Sequence, residues 1–139
     1  RHNGLGDRGW FWASDIVIAA SENVEVSGNA VLVAPGRCGI VLIDQGRRRD
    51  DGRLYKTRNN AILANLMTFE GAACAGGVSD TRPGHESYSI ITDGNNRFDG
   101  NTYRVRPPDA DHFIWGRELT DWEGFRRTGQ EANGRILSP

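Results

Sequence analysis

Several features that define common protein classes are scarce or missing in this sequence. Apolar runs reach only about six residues, whereas a membrane-spanning helix needs about 20. The net charge of −1 and the pI of about 6.3 argue against a protein that coats nucleic acid or an anionic membrane. There is no zinc-ligand spacing, phosphate loop, nucleophile elbow or nucleic-acid motif. These absences exclude a membrane span and leave no catalytic signature of a common kind.

The N-terminus lacks the features of a secretory signal. The first residue is Arg1, and no apolar segment of signal-peptide length follows it. From the sequence we therefore expect a chain that is processed or truncated at this end. Its 139 residues suit one domain with its own apolar core.

The residues that are abundant predict an all-β fold. Eighteen glycines, many asparagines and aspartates, and short runs of valine and isoleucine are typical of strands joined by turns. Amphipathic windows of helix length are missing until the C-terminus. The predicted class is therefore all-β.

An internal repeat decides the predicted architecture. At a period of 36 residues, two asparagine columns are in register: Asn23, Asn59 and Asn95, and Asn29, Asn65 and Asn101. Apolar columns accompany them: Val26, Ile62 and Phe98; Val31, Met67 and Tyr103; Val33, Phe69 and Val105. Their alternation is that of half-buried strands, and equivalent residues of stacked strands lie about 4.8 Å apart. We therefore expect the asparagine amides to bond one another along the stack. The alternative is chance similarity within a β-sandwich.

A family resemblance follows from three segments of this repeat, Asn23–Asn29, Gly39–Ile43 and Asn96–Asn101. Through them, over roughly residues 13–116, the chain resembles the right-handed parallel β-helix repeat proteins of the pectate-lyase-like superfamily. The resemblance implies about three rungs, preceded by a lead-in at 1–12 and followed by a cap and tail at 117–139. The superfamily includes polysaccharide lyases, glycoside hydrolases, epimerases, phage tailspikes and adhesins.

The C-terminal segment predicts a short capping helix at about 120–128. Thr120 and Glu123 have the spacing of a capping box, with Thr120 as the N-cap. Trp122 and Phe125 share one face of this helix and are expected to cover the open end of the last rung.

Asp44 and Asp80 form the best candidate carboxylate pair, because each directly precedes a loop insertion. If the two side chains stack, they lie about 5 Å apart, which suits a retaining glycosidase pair. The same pair is a candidate site for Ca²⁺. The alternative is a column of strand-ending aspartates that bond the turn backbone.

The two insertions also carry Arg47, Arg82 and His85. A lyase that acts on uronates needs a cation near the carboxylate and a base at the neighbouring carbon. The alternative is a solvated charged loop. Trp10 and Trp12 are candidates for an aromatic platform under a sugar ring, and packing against the first rung or against a partner explains them equally well.

Cys38 and Cys74 lie 36 residues apart, so we expect them on neighbouring rungs. Free, stacked thiols are the favoured expectation, because parallel side chains one strand apart are slightly too distant for relaxed disulfide geometry. A disulfide is the alternative, which the even cysteine count permits.

These patterns lead to one functional expectation and one alternative. The first is an extracellular or cell-surface β-helix that binds or processes polysaccharide, with lyase-like or glycosidase-like chemistry. The second is a structural segment of an adhesin, tailspike or surface filament. In either case we expect upstream rungs, a second copy or the segment Trp10–Trp12 to cover the N-terminal end.

Overall fold

The computed structural model describes residues 13–44, 46, 48–79, 90–106, 110–116 and 119–137. The strands are β1 Ser14–Ala19, β2 Glu25–Ser27, β3 Ala30–Val33, β4 Cys38–Ile43, β5 Ala61–Leu63, β6 Leu66–Phe69, β7 Cys74–Val78, β8 Arg97–Asp99, β9 Thr102–Arg104, β10 Phe113–Gly116, β11 Leu119–Thr120 and β12 Arg135–Leu137. The helices are α1 Ile90–Asp93 and α2 Trp122–Arg127. Among these residues, no helix has the length and apolar character needed to cross a membrane.

The strands form three sheets, and the chain passes through them in a fixed order. Sheet I has the strand order β1-β4-β7-β10-β11, sheet II has β2-β5-β8, and sheet III has β12-β9-β6-β3. Neighbouring strands are parallel, except for the antiparallel pair β10–β11. The chain visits sheets I, II and III in turn three times before it returns to β10. The prediction of a β-rich fold with parallel strands is confirmed.

The apolar columns of the sequence lie side by side in sheets II and III. Val26 pairs with Ile62, which pairs with Phe98. In the same way Val31, Met67 and Tyr103 are neighbours on successive strands of sheet III. Six such side chains belong to one apolar core between the sheets. The 36-residue register is therefore correct for these two sheets.

The two asparagine columns have different roles at the turns. Asn23, Asn59 and Asn95 have φ angles of 62°, 55° and 57°. This left-handed region is one that asparagine adopts more readily than most residues. Each of these asparagines lies two residues before a strand of sheet II, at the turn that leads into it.

The second column forms the predicted amide ladder. Asn29 donates its Nδ2 to Asn65 Oδ1 at 3.0 Å, and Asn65 donates its Nδ2 to Asn101 Oδ1 at 2.9 Å. Asn60 and Asn96 form a shorter ladder of the same kind, with an Nδ2 to Oδ1 distance of 3.1 Å, which the sequence analysis did not predict. These hydrogen bonds give partners to the side-chain amide groups that are buried at the turns.

Sheet I differs from the other two sheets because its middle strands are buried on both faces, whereas its edge strand β1 is partly accessible. Every residue of β4 and β7 is inaccessible to solvent or nearly so. The side chains that these strands direct away from the main core, among them Val41, Val78 and Ile114, form a second apolar cluster. Sheet I is therefore shielded over most of its length, so its faces offer little surface for a ligand.

Cys38 and Cys74 lie within this second cluster and form a disulfide. The expectation of free thiols was wrong. The two residues are direct partners on β4 and β7, and their Cα atoms are only 4.4 Å apart. That separation is at the short end of the range that a disulfide spans.

A register shift in β4 moves Asp44 relative to the prediction. Cys38 pairs with Cys74, but Val41 pairs with Gly76, so β4 carries one extra residue between these pairs. Such an insertion is a β-bulge. Ile43 consequently pairs with Val78, and the next residues along the two strands are Asp44 and Ser79. The backbone therefore sets Ser79 beside Asp44, while Asp80 lies outside the described residues, so a pair of Asp44 with Asp80 stays a prediction.

The C-terminal helix covers the end of the core, as predicted, but with a different cap. Trp122 and Phe125 of α2 are buried, and Phe125 stacks on Phe113 with ring centroids 4.9 Å apart. The N-cap is Asp121, whose Oδ1 accepts from the Gly124 N–H at 2.8 Å. The capping box predicted at Thr120 was therefore wrong, because Thr120 belongs to β11.

Candidate functional site

The loop between β4 and β5 folds back on itself. Arg48 and Leu54 form an antiparallel bridge, and the Arg49 N–H donates to the Arg53 carbonyl at 2.7 Å. Gly52 lies at the tip with a φ of +85°, a conformation that glycine adopts without steric cost. This local pairing brings Arg48, Arg49 and Arg53 onto one short turn.

Thr57 fastens the end of the loop to the repeat before it. Its buried hydroxyl donates to the Ile43 carbonyl and accepts from the Ala20 N–H, both at 2.9 Å. One residue further on, the Arg58 N–H donates to the Ser21 carbonyl at 3.2 Å. These bonds place the second half of the loop against the turn that follows β1.

A cleft of about 550 Å³ lies between the loop and that turn. Its lining consists of Glu22, Arg48, Arg49, Gly52, Arg53, Leu54, Lys56 and Arg58. Five of these side chains are cationic, and Glu22 is the one carboxylate among the lining residues. Asp51, which lies outside the lining, pairs with Arg53 and, at 3.9 Å, with Arg49. The whole chain has a net charge of −1, so the cleft concentrates positive charge on a nearly neutral molecule. Such a concentration attracts anions.

Local contacts orient the arginines at the tip. Arg53 donates to Asp51 Oδ2 from Nε at 2.9 Å and from Nη2 at 2.7 Å. These hydrogen bonds lower the pKa of the Asp51 carboxyl, so it stays ionised at neutral pH. Arg48 Nη1 donates to the Gly52 carbonyl at 2.7 Å, and the Arg49 guanidinium lies 5.8 Å from the centre of the Tyr55 ring.

The other two cations of the cleft differ from each other. Arg58 donates from Nε to Glu22 Oε1 across the two repeats. Lys56, the only lysine of the sequence, is exposed and has neither an ion pair nor a side-chain hydrogen bond within the part of the chain that the structure describes. Its ammonium group is therefore available to a ligand.

Asp44 is the one predicted site residue that the described residues include. It is buried, with only 2% of its surface accessible, and its Oδ1 accepts from the Gly46 N–H at 3.4 Å. It does not line the cleft. The other predicted site residues lie outside the described residues: Asp80, Arg47, Arg82, His85, Trp10 and Trp12. Their roles, and a Ca²⁺ site on Asp44 and Asp80, stay predictions; no three potential metal ligands cluster among the residues described.

The cleft was only partly foreseeable from the sequence. The density of cations between residues 47 and 58 is visible there, and it includes the candidate Arg47. The contribution of Glu22 and the fastening by Thr57 depend on contacts between repeats.

Comparison with known proteins gives no relative to argue from. No family model, no curated protein and no solved structure matches this chain. The functional interpretation therefore depends on the geometry and charge of the described residues.

Proposed function

We propose that this chain is part of a right-handed parallel β-helix that binds an anionic polysaccharide through the cationic cleft. The observation that carries the proposal is a cleft of about 550 Å³ whose lining has five cations and one carboxylate. The β-helix part is supported by the repeated passage of the chain through three parallel sheets and by the amide ladder at one turn.

The chemistry of the lining favours carboxylates carried on sugars. Guanidinium groups bind carboxylates with two parallel hydrogen bonds, and arginine is the main cation of the cleft. Tyr55, which is 40% exposed, does not line the cleft, but its ring lies under Arg49, which does, and it is an aromatic side chain of the kind that stacks on a sugar ring. A polymer of uronic acids presents both features along one chain.

An extracellular or cell-surface location forms part of the proposal. The disulfide between Cys38 and Cys74 supports it, because disulfides persist mainly in oxidising compartments. Lyase-like or glycosidase-like turnover stays a further hypothesis, tested by following the release of shorter products from the same polysaccharides.

The alternative is a structural β-helix segment of an adhesin, tailspike or surface filament. The buried amide ladder and the disulfide favour it, because both link successive repeats into a stiff unit without forming a site. Absence of binding to every anionic polysaccharide tested would favour this alternative.

Charge reversal at Lys56 tests the proposal. We expect the wild-type chain to bind polygalacturonate with an affinity that falls as salt is added. Lys56→Glu should weaken binding roughly tenfold, since a surface ion pair contributes up to about 1 kcal/mol and the new carboxylate repels the ligand. Isothermal titration calorimetry measures both effects.

Arg104→Glu is the matched control. Arg104→Glu changes the net charge by the same amount as Lys56→Glu, because each variant replaces a cation by a carboxylate. Arg104, however, is exposed on β9 and does not line the cleft. An equal loss of affinity in both variants would contradict binding in the cleft.

A further inference from the structure

Glu22 is the one carboxylate that lines the cleft, and the backbone holds it directly opposite Arg58. The two residues form an isolated parallel bridge. The Asn23 N–H donates to the Arg58 carbonyl at 3.1 Å, and the Arg58 N–H donates to the Ser21 carbonyl at 3.2 Å. Both side chains therefore start from fixed neighbouring positions, and their contact does not depend on the tip of the loop around Gly52.

The contact leaves part of Arg58 available. Glu22 Oε1 accepts from Nε of Arg58, and within the described part of the chain the two Nη groups have no partner. The side chains of Arg58 and Glu22 are 47% and 40% accessible, so a ligand can reach the pair from solvent. An arriving carboxylate meets the guanidinium with one donor already occupied by a carboxylate of the protein.

We infer that Glu22 is an internal competitor of the ligand, and that it makes the cleft selective for sugars carrying several carboxylates. This inference rests on the proposed function and deepens it. A single carboxylate that displaces Glu22 only replaces one carboxylate by another on Arg58, and it then lies beside the displaced negative charge. An oligouronate gains contacts to other cations, such as Lys56 and Arg49, in the same binding event. These additional contacts of the oligouronate offset the free energy that is lost in displacing Glu22, whereas an anion with one carboxylate makes no additional contacts.

Glu22→Gln tests the inference, because glutamine keeps the shape of the side chain and removes its charge. We expect the affinity for a short oligogalacturonate to rise roughly two- to fivefold at low ionic strength, the range for the loss of one close surface charge. The affinity for monomeric galacturonate should rise by a larger factor, since the monomer lacks compensating contacts. Both gains should shrink as salt is added.

Glu25→Gln is the matched control. Glu25 is exposed on β2, and its substitution by glutamine removes the same charge as Glu22→Gln. Its carboxylate accepts from Ser27 Oγ and does not line the cleft. We expect a much smaller gain from this variant. The double variant Glu22→Gln with Arg58→Gln should lose the gain if Glu22 acts through Arg58.

The outcomes separate this inference from the proposed function. If the wild-type chain binds the oligomer and Glu22→Gln binds it equally or more weakly, the competitor role is overturned and the binding site stands. An equal gain from Glu25→Gln, or a gain that survives in the double variant, also overturns it. If neither the wild type nor Glu22→Gln binds either sugar, the proposed function fails together with the inference. If the wild type binds only the oligomer and Glu22→Gln binds the monomer as well, the inference is supported in its strongest form. If the wild type does not bind the oligomer, the proposed function fails.

Discussion

Glu131 lies where a further asparagine would continue the amide ladder. Its carboxylate accepts from the N–H and the Nδ2 of Asn101, at 3.2 and 2.7 Å, and from the Tyr103 hydroxyl at 2.5 Å. An asparagine of the ladder both accepts and donates, whereas a carboxylate only accepts. Glu131 therefore satisfies the last asparagine and ends the ladder at the C-terminal side.

The burial of Glu131 has a consequence for its protonation. The residue is fully buried, and removal from water raises the pKa of its carboxyl, although the hydrogen bonds from Tyr103 and Asn101 oppose the rise. Burial and the neighbouring Glu131 carboxylate also raise the pKa of Tyr103, so its hydroxyl stays protonated and can donate at neutral pH.

Glu131→Gln should reveal this raised pKa as a pH dependence of stability. The folded-state pKa lies above the ordinary value of 4.5, so the folded protein binds the proton more tightly than the unfolded chain. The contribution of Glu131 to the free energy of unfolding is therefore fully present below pH 4.5 and is lost as the pH rises through the raised pKa. We expect the free energy of unfolding of the wild type, minus that of the variant, to fall as the pH is raised from about 4.5 upwards.

Urea denaturation followed by tryptophan fluorescence measures this difference. Taking the difference removes the effects of other carboxyls, such as Asp99, whose pKa is lowered by hydrogen bonds from Asn133. A difference that stays constant over this pH range would contradict the assignment.

At the scale of single elements, α2 shows how a helix too short to be stable alone is fixed. It spans six residues, and isolated helices of that length do not form in water. Packing supplies most of its stability, since Trp122 contacts the rings of Tyr103 and Phe113 at centroid distances of 5.5 and 5.4 Å. The cap at Asp121 then fixes where the helix begins.

Asp121→Ala and Thr120→Ala distinguish the observed cap from the one that the sequence predicted. Loss of the bond from the Gly124 N–H to Asp121 Oδ1 should lower the free energy of unfolding by about 1 kcal/mol. Thr120→Ala should cost less, because Thr120 makes no capping bond among the described residues. Chemical denaturation of the two variants measures both changes, and a larger loss from Thr120→Ala would contradict the observed cap.

At the scale of the whole molecule, the sequence predicted the features that repeat and missed those that interrupt the repeat. The amide ladder and the apolar columns of sheets II and III were predictable because the same residue types recur every 36 residues. The neighbour of Asp44 on β7 was not predictable, because the bulge in β4 shifts the register of sheet I and no pattern in the sequence indicates that bulge. The cleft was missed for a related reason: Glu22 and Arg58 meet across repeats, and neither belongs to a repeating column of one residue type.

The disulfide links two successive repeats within the shielded sheet. Cys38 and Cys74 are fully buried in the second apolar cluster, on strands that are direct neighbours. A reductant reaches such a bond only when this part of the protein opens. We therefore expect the bond to survive mild reductant in the native protein and to be reduced once denaturant unfolds it, as thiol labelling would show.

Replacing both cysteines by alanine should lower the stability of the whole chain. The disulfide closes a loop between residues 36 apart in sequence, and its loss should reduce the free energy of unfolding by about 3–4 kcal/mol, because the unfolded chain regains the freedom that the bond removes. Denaturation of the wild type and of the double variant, each with and without reductant, measures this loss. Reductant should lower the unfolding midpoint of the wild type and leave that of the variant unchanged. Equal midpoints for the two oxidised proteins would show that the bond between Cys38 and Cys74 does not stabilise the fold.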